Sequence, residues 1–238
     1  MDILDREFAK IDALKTNAEK SLQAAKDLFQ ATLKKELEPK EGWEIKTFGE
    51  VGTFQRGGGF LKSDFVENGF PCIHYGQIHM KLGATTYSHL TCIPASVAAK
   101  SKIGSTGDVI IAITSEDVAG SCKSTAWMGN YDVAIGAHAA IFKHCLNPLF
   151  VSYFIQSRYF QREKEAYTHG FKVVEIKPSD IAKIPIHFPS LPEQQSIVEV
   201  LEKVRERVGA LQENYQKTLA LCDDLKQSLL RKAFNGEL

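Results

Sequence analysis

Side chains with directional hydrogen-bond donors and acceptors gather at three places in this chain. The first is Arg56 to Lys62, where Gly57-Gly58-Gly59 lies between two cations. The second is His74-Tyr75-Gly76-Gln77-Ile78-His79-Met80-Lys81, and the third is Thr168-His169-Gly170-Phe171-Lys172. Such groups, delivered on loops or strand ends, are the kind that read the edges of bases. Lys100, Lys102, Thr114, Ser115 and Lys123 suit the simpler task of contacting phosphates. The chemistry these residues offer is recognition rather than turnover.

Patterns that suggest turnover fail on closer reading. Asn147-Pro148-Leu149-Phe150 approaches the Asn-Pro-Pro-Phe box that holds a flipped adenine, but its third residue is Leu and no Gly-rich cofactor loop accompanies it. It reads better as a helix cap and first residue. Gly57-Gly58-Gly59 is followed by no Gly-Lys-Ser/Thr and so is no phosphate loop; a flexible surface loop is expected. Pro178-Ser179-Asp180 with Lys183 lacks an upstream acidic partner for a nuclease metal site. Cys72, His74 and His79, or His144 with Cys145, match no common zinc spacing. No catalytic residue, metal site or cofactor is expected in this chain.

The bulk numbers agree with a binding protein that works with partners. The 238 residues carry 29 Lys/Arg and 29 Asp/Glu, a net charge of zero, which argues against strong free-standing attraction to a polyanion. Trp43 to Ser190 holds 14 Lys/Arg against 12 Asp/Glu and all seven histidines. Five cysteines without a CxxC pair read as reduced thiols of a cytoplasmic protein. No apolar run approaches the roughly 20 residues of a membrane span.

Two long helices must position the recognition residues. With a constant offset of 197, Leu4, Ala13, Leu14, Asn17, Lys20, Leu22, Asp27, Leu28, Gln30, Leu33 and Lys35 fall on identical residues from Leu201 to Lys232. The first copy, residues 1–38, has an apolar stripe through Leu4, Phe8, Ile11, Leu14, Ala18, Leu22, Ala25, Leu28/Phe29 and Leu33. The second, residues 190–238, repeats it through Leu201, Val204, Val208, Leu211, Tyr215, Leu219, Cys222, Leu225 and Leu229, near a heptad seam. The two should pair antiparallel, with Leu14, Leu22, Leu28, Val204, Leu211 and Leu225 in the seam or at a docking surface. Residues 43–189 alternate short apolar runs with Gly-rich turns. They predict a mixed α/β domain with one helix from Asn147-Pro148 to about Glu165 and a short one over Pro178–Ile181. The fold class is α+β.

In this order the pieces resemble the specificity subunit of type I restriction–modification systems. Gly42-Trp43-Glu44-Ile45-Lys46-Thr47-Phe48-Gly49-Glu50-Val51 followed by Arg56-Gly57 looks like the opening of a target-recognition domain. Gly69-Phe70-Pro71-Cys72-Ile73 and Gly107-Asp108-Val109-Ile110-Ile111 are similar to its inner strands. Tyr153-Phe154-Ile155, Phe160-Gln161, Gly170 and Ile181-Ala182-Lys183-Ile184-Pro185-Ile186 resemble its close. Leu191-Pro192-Glu193-Gln194-Gln195-Ser196-Ile197-Val198 is similar to the start of its conserved helix.

The resemblance implies a non-catalytic subunit that reads half of a split double-stranded DNA site. It implies adenine methyltransferase subunits docked on the helices and restriction–translocase subunits joining them. S-adenosylmethionine, ATP and Mg2+ would belong to those partners, in a prokaryotic cytoplasm. The aligned helices, at 1.5 Å per residue, would act as a ruler of about 50 Å, or at most ~15 bp. The chain carries one recognition domain where the family has two, and its first helix starts inside the repeat. The expectation is either the second half of a longer protein or a half-subunit that pairs with a second copy of itself. The competing reading is a coiled-coil scaffold whose central domain binds protein.

Overall fold

The computed structural model describes residues 2–170 and 173–236. In chain order the elements are α1 (Asp2–Leu37), β1 (Glu44–Thr47), α2 (Phe48–Val51), β2 (Gly52–Arg56), β3 (Phe70–Ile73), α3 (Tyr75–Met80), β4 (Thr85–Thr86) and β5 (Thr91–Ile93). Then follow α4 (Ala95–Ala98), β6 (Lys102–Gly104), β7 (Val109–Ala112), β8 (Thr114–Ser115), β9 (Ser124–Trp127), β10 (Val133–Ile135) and β11 (Ala139–His144). The chain closes with α5 (Pro148–Gln156), α6 (Arg158–Glu165), β12 (Val174–Glu175), α7 (Pro178–Ile181), β13 (Pro185–Phe188) and α8 (Leu191–Phe234). Two units form: residues 1–36 with 199–238, and residues 37–198.

The first unit is an antiparallel helix pair. Lys15 bonds Asp223 (2.8 Å) and Lys226 bonds Asp12 (2.9 Å), so that paired residue numbers sum to 238. These exposed ion pairs add little to stability, screened as they are by solvent, and serve mainly to report register. The seam is made by Ile11, Ala18, Ala25 and Leu33 of α1 and by Leu201, Val208 and Cys222 of α8, all buried. Leu22 and Val204 are half-buried beside it. Leu14, Leu28, Leu211 and Leu225 do not fill it: they are 39 to 55% exposed. A single helix–helix contact covers only a narrow stripe, so an apolar face wider than the seam leaves its flanking position outside.

The arrangement of those leucines follows from the repeat. An antiparallel pair of equivalent helices has a two-fold axis perpendicular to both, here between Lys20 and Ser21 and between Lys217 and Thr218. That axis keeps equivalent residues on the same face. Leu14 and Leu211 are equivalent, as are Leu28 and Leu225, and Leu14 and Leu28 are two heptads apart. All four leucines therefore share one face, in two pairs about 21 Å apart.

The second unit is built on a five-stranded sheet of order β2-β11-β7-β9-β4 and a four-stranded sheet of order β5-β3-β10-β6. β7, and β11 from Ala139 to Phe142, are buried on both faces, as their apolar runs require. Ile73, Ile110, Trp127, Ile135 and Ile141 pack one core cluster. On the other side of β11, Phe142 stacks on Phe54 at 4.4 Å and packs against Phe48, which in turn meets Phe154 and Phe160.

The expected single helix from Pro148 is two helices. Asn147 caps α5, its side chain accepting from the N–H groups of Leu149 and Phe150, and Pro148 takes the first position. Ser157 is extended (φ −66°, ψ 151°), ends α5 and caps α6 by accepting from the Phe160 N–H. The Gln pair near the start of α8 also has a structural task. Gln194 is buried, accepts from Asn147 N–H and donates to the Pro189 carbonyl, while Gln195 accepts from the Asn147 side chain.

A half-buried histidine, His144, and a buried one, His187, make acid stability testable. His144 lies over Phe142, its Nδ1 accepts from Leu146 N–H, and its Nε2 has no partner among the described residues. Burial pulls its pKa down to about 4, against a weaker upward pull from Asp108. His187 is shifted down by burial in the same sense. A His with a depressed folded pKa adds stability that is full above the unfolded value near 6.5 and is lost as pH falls towards 4. For His144 the loss is on the order of 3 kcal/mol. Urea titrations at pH 7 and pH 4.5 should show it, and His144→Phe should flatten the pH dependence.

Candidate nucleic-acid interface

Helix α3 begins where β3 ends. His74 is its N-cap: Gly76 N–H donates to His74 Nδ1 (3.2 Å), and His74 N–H donates to Gln77 Oε1 (3.0 Å). Gln77 Nε2 in turn donates to Thr91 Oγ1 (2.8 Å). These two predicted readers thus form a capping box and tie β5 to α3. The turn then sets Tyr75 and His79 one helical turn apart on the same side, with ring centroids 5.9 Å apart.

His79 Nε2 lies 2.9 Å from the Thr114 carbonyl. A carbonyl only accepts, so the neutral ring carries its proton on Nε2 and presents Nδ1 as an acceptor. His138 packs against Tyr75 at 5.0 Å and contacts Thr114 Oγ1 through Nδ1 (3.1 Å). β8 is held from the other side by β12, with Ser115 opposite Val174 and Thr114 opposite Glu175. Lys123 Nζ reaches the His79 carbonyl (3.4 Å).

The result is a cleft of about 480 Å³ with walls from α3, β8 and the loop that follows it. It gathers Tyr75, His79, Thr114, Ser115 and Lys123 from the predicted set and adds Met80, Glu116, Asp117, Gly120 and Val173. Among the described residues its lining offers acceptors, donors, an aromatic face and the Lys123 cation, together with the carboxylates of Glu116 and Asp117. Glu116 and Asp117 lie outside the predicted set; their adjacency to Ser115 is a sequence signal that points to them.

The other predicted residues lie elsewhere. Arg56 is engaged, bonding Glu175 (2.9 Å) and the Ala137 carbonyl (3.3 Å). The expected flexible glycine loop beside it is in part packed structure. Gly57 N–H donates to Ala139 O, and a Cβ on Gly57 would lie 2.4 Å from the Gly136 carbonyl, so only glycine lets the strands approach. Lys62, Lys81, Lys100 and Lys102 are exposed and outside the cleft lining. Thr168 donates to the Lys164 carbonyl at the end of α6, and exposed His169 bridges Glu175 through its backbone. Lys172 lies outside the described residues. Among the described residues no cluster of three His, Cys, Asp or Glu could hold a metal ion, and no helix is long and apolar enough to cross a membrane.

A pair of long helices and a mixed α/β unit with a polar cleft make up the fold. Residues 40–219 match the type I restriction modification DNA specificity domain, and the chain belongs to that family. It is 24% identical over 204 residues to the StySPI specificity subunit of Salmonella potsdam and equally to the EcoKI specificity subunit of Escherichia coli, covering 83% of this chain and 44% of each relative. It is 25% identical over 170 residues to the MjaVIII specificity subunit of Methanocaldococcus jannaschii, covering 69% and 40%. The chain thus spans less than half the length of these relatives. The fold is shared with a chain from a type I R-M system solved for its complex assembly (TM-score 0.77, 21% identity, 100% of this chain and 58% of that one). It is shared also with the HsdS subunit of Thermoanaerobacter tengcongensis (TM-score 0.61, 21% identity, 100% and 57%).

Proposed function

We propose that this chain is a non-catalytic, sequence-specific DNA-recognition subunit of a cytoplasmic type I restriction–modification complex, reading one half of a bipartite site. The observation that carries the reading is the cleft of Tyr75, His79, Thr114, Ser115 and Lys123 within a domain of the DNA specificity family. Adenine methyltransferase and restriction–translocase subunits are the proposed partners, and they bring S-adenosylmethionine, ATP and Mg2+. The near-balanced charge fits a subunit that leaves much of the phosphate attraction to those partners. A scaffold that binds only protein would not need the cleft's array of base-compatible donors and acceptors. Selection from a duplex library with a randomised stretch, using the full chain at low ionic strength, tests the reading. A short consensus is expected, and recovery of random sequence would contradict it.

The four leucines on one face of the helix pair support docking of the methyltransferase subunits there, at two equivalent positions. Changing all four to Asp is expected to leave helix content nearly unchanged, since each is substantially exposed. Co-purification with the methyltransferase should fall at least tenfold. Unimpaired co-purification would place docking elsewhere.

A further inference from the structure

The loop from Ser115 to Lys123 forms one wall of the cleft and is held more rigidly than exposure alone would demand. Asp117 N–H donates to Ser115 Oγ, and the Asp117 carboxylate accepts from Gly120 N–H. Ser121 turns back on the Val118 carbonyl with both its N–H and its hydroxyl. Cys122, buried and not glycine, sits at φ +61°, a conformation that persists only where its surroundings enforce it.

The strongest restraint comes from below. Lys164 on α6 is 1% exposed, and its ammonium donates to the carbonyls of Ser121 (2.6 Å) and Ala119 (3.4 Å). Burial lowers its pKa from the usual lysine value. A buried ammonium satisfied by main-chain carbonyls is a poor source of net stability, since an apolar side chain of similar volume serves a core as well or better. What the lysine does that an apolar residue cannot is fix two carbonyls of this loop.

The loop presents two carboxylates, but they are not equivalent. Asp117 is used by Gly120. Glu116 is exposed, lines the cleft and makes no hydrogen bond or ion pair among the described residues. A carboxylate on a DNA-facing wall repels phosphate; its favourable partner is an exocyclic amino group, above all N4 of cytosine in the major groove.

We propose that Glu116 is a specificity-determining residue that accepts a hydrogen bond from a cytosine amino group, and that Lys164 is the positioning residue that holds its loop in reading geometry. The inference rests on the DNA-reading function proposed above. Duplex selection with the full chain separates the two. The wild type should yield a consensus containing a cytosine that Glu116→Ala loses, with discrimination at that one position falling at least tenfold and other positions kept. Lys164→Met should degrade the same position, whereas simple misfolding would erase the whole consensus. Should Lys164→Met not fold, Gly120→Ala serves instead, because the added Cβ would meet Ser115 Oγ at 2.4 Å and distort the loop from its exposed side. A wild-type consensus that Glu116→Ala leaves unchanged overturns the Glu116 assignment while the DNA-reading function stands. An unchanged consensus in folded Lys164→Met, or in Gly120→Ala where that is used, overturns the positioning role. No wild-type consensus at all sinks both.

Discussion

Ile11→Asp combined with Val208→Asp is expected to melt the helix pair while leaving the strand-rich unit folded. Both side chains are buried in the seam, at 4% and 5% exposure. Each loses about 2 kcal/mol of apolar burial and places an unpaired carboxylate where water is excluded. The combined cost is on the order of 5 kcal/mol or more, which a two-helix contact cannot absorb, because each helix alone is only marginally stable in water. α1 and α8 are 36 and 44 residues long, so the far-UV helical signal should fall sharply. Leu14→Asp, on the exposed flank, should cost less than about 0.5 kcal/mol. Equal effects from both sites would mean that the seam is misplaced.

The second large effect concerns the cleft. Tyr75→Ala with His79→Ala is expected to lower affinity for the selected duplex about 100-fold, as two base-edge contacts at ~1–3 kcal/mol each predict. Affinity for unrelated duplex should hardly change. Lys123→Ala should behave differently, weakening both duplexes alike and reducing the salt slope by about one. Fluorescence anisotropy across a salt series distinguishes the two patterns. Uniform weakening by the Tyr75/His79 pair would assign those rings to the backbone or to folding.

Much of this was legible in the residues. The offset of 197 announced two equivalent helices, and the ion pairs Lys15–Asp223 and Asp12–Lys226 place them antiparallel. What periodicity could not separate was the seam from its flank. Leu14 and Ala18 both lie on the apolar stripe, yet only the alanine is buried, because the choice depends on the rotation of one helix against the other. The Ser157 break was missed for a related reason: a serine inside a helical pattern is tolerated, and only its cap on Phe160 shows that the chain restarts.

At the site, residue type misled in both directions. His74 and Gln77 have the chemistry of base readers but spend it on a capping box, and their spacing of three was the available signal. Tyr75, His79, Thr114, Ser115 and Lys123, drawn from three separate stretches, do meet in one cleft. Glu116 lies outside the predicted set, and Lys164 gives no sign of burial, since a lysine in a run of Arg162, Glu163 and Glu165 reads as solvated. Long-range packing of α6 beneath the β8–β9 loop is what gives both their place.

Mapping N6-methyladenine by single-molecule sequencing tests the central claim most directly. The comparison is between cells carrying the partner methyltransferase with and without this chain. The account predicts a bipartite methylated motif, with an unread gap, that appears only when the chain is present. A methylome identical with and without the chain would contradict it.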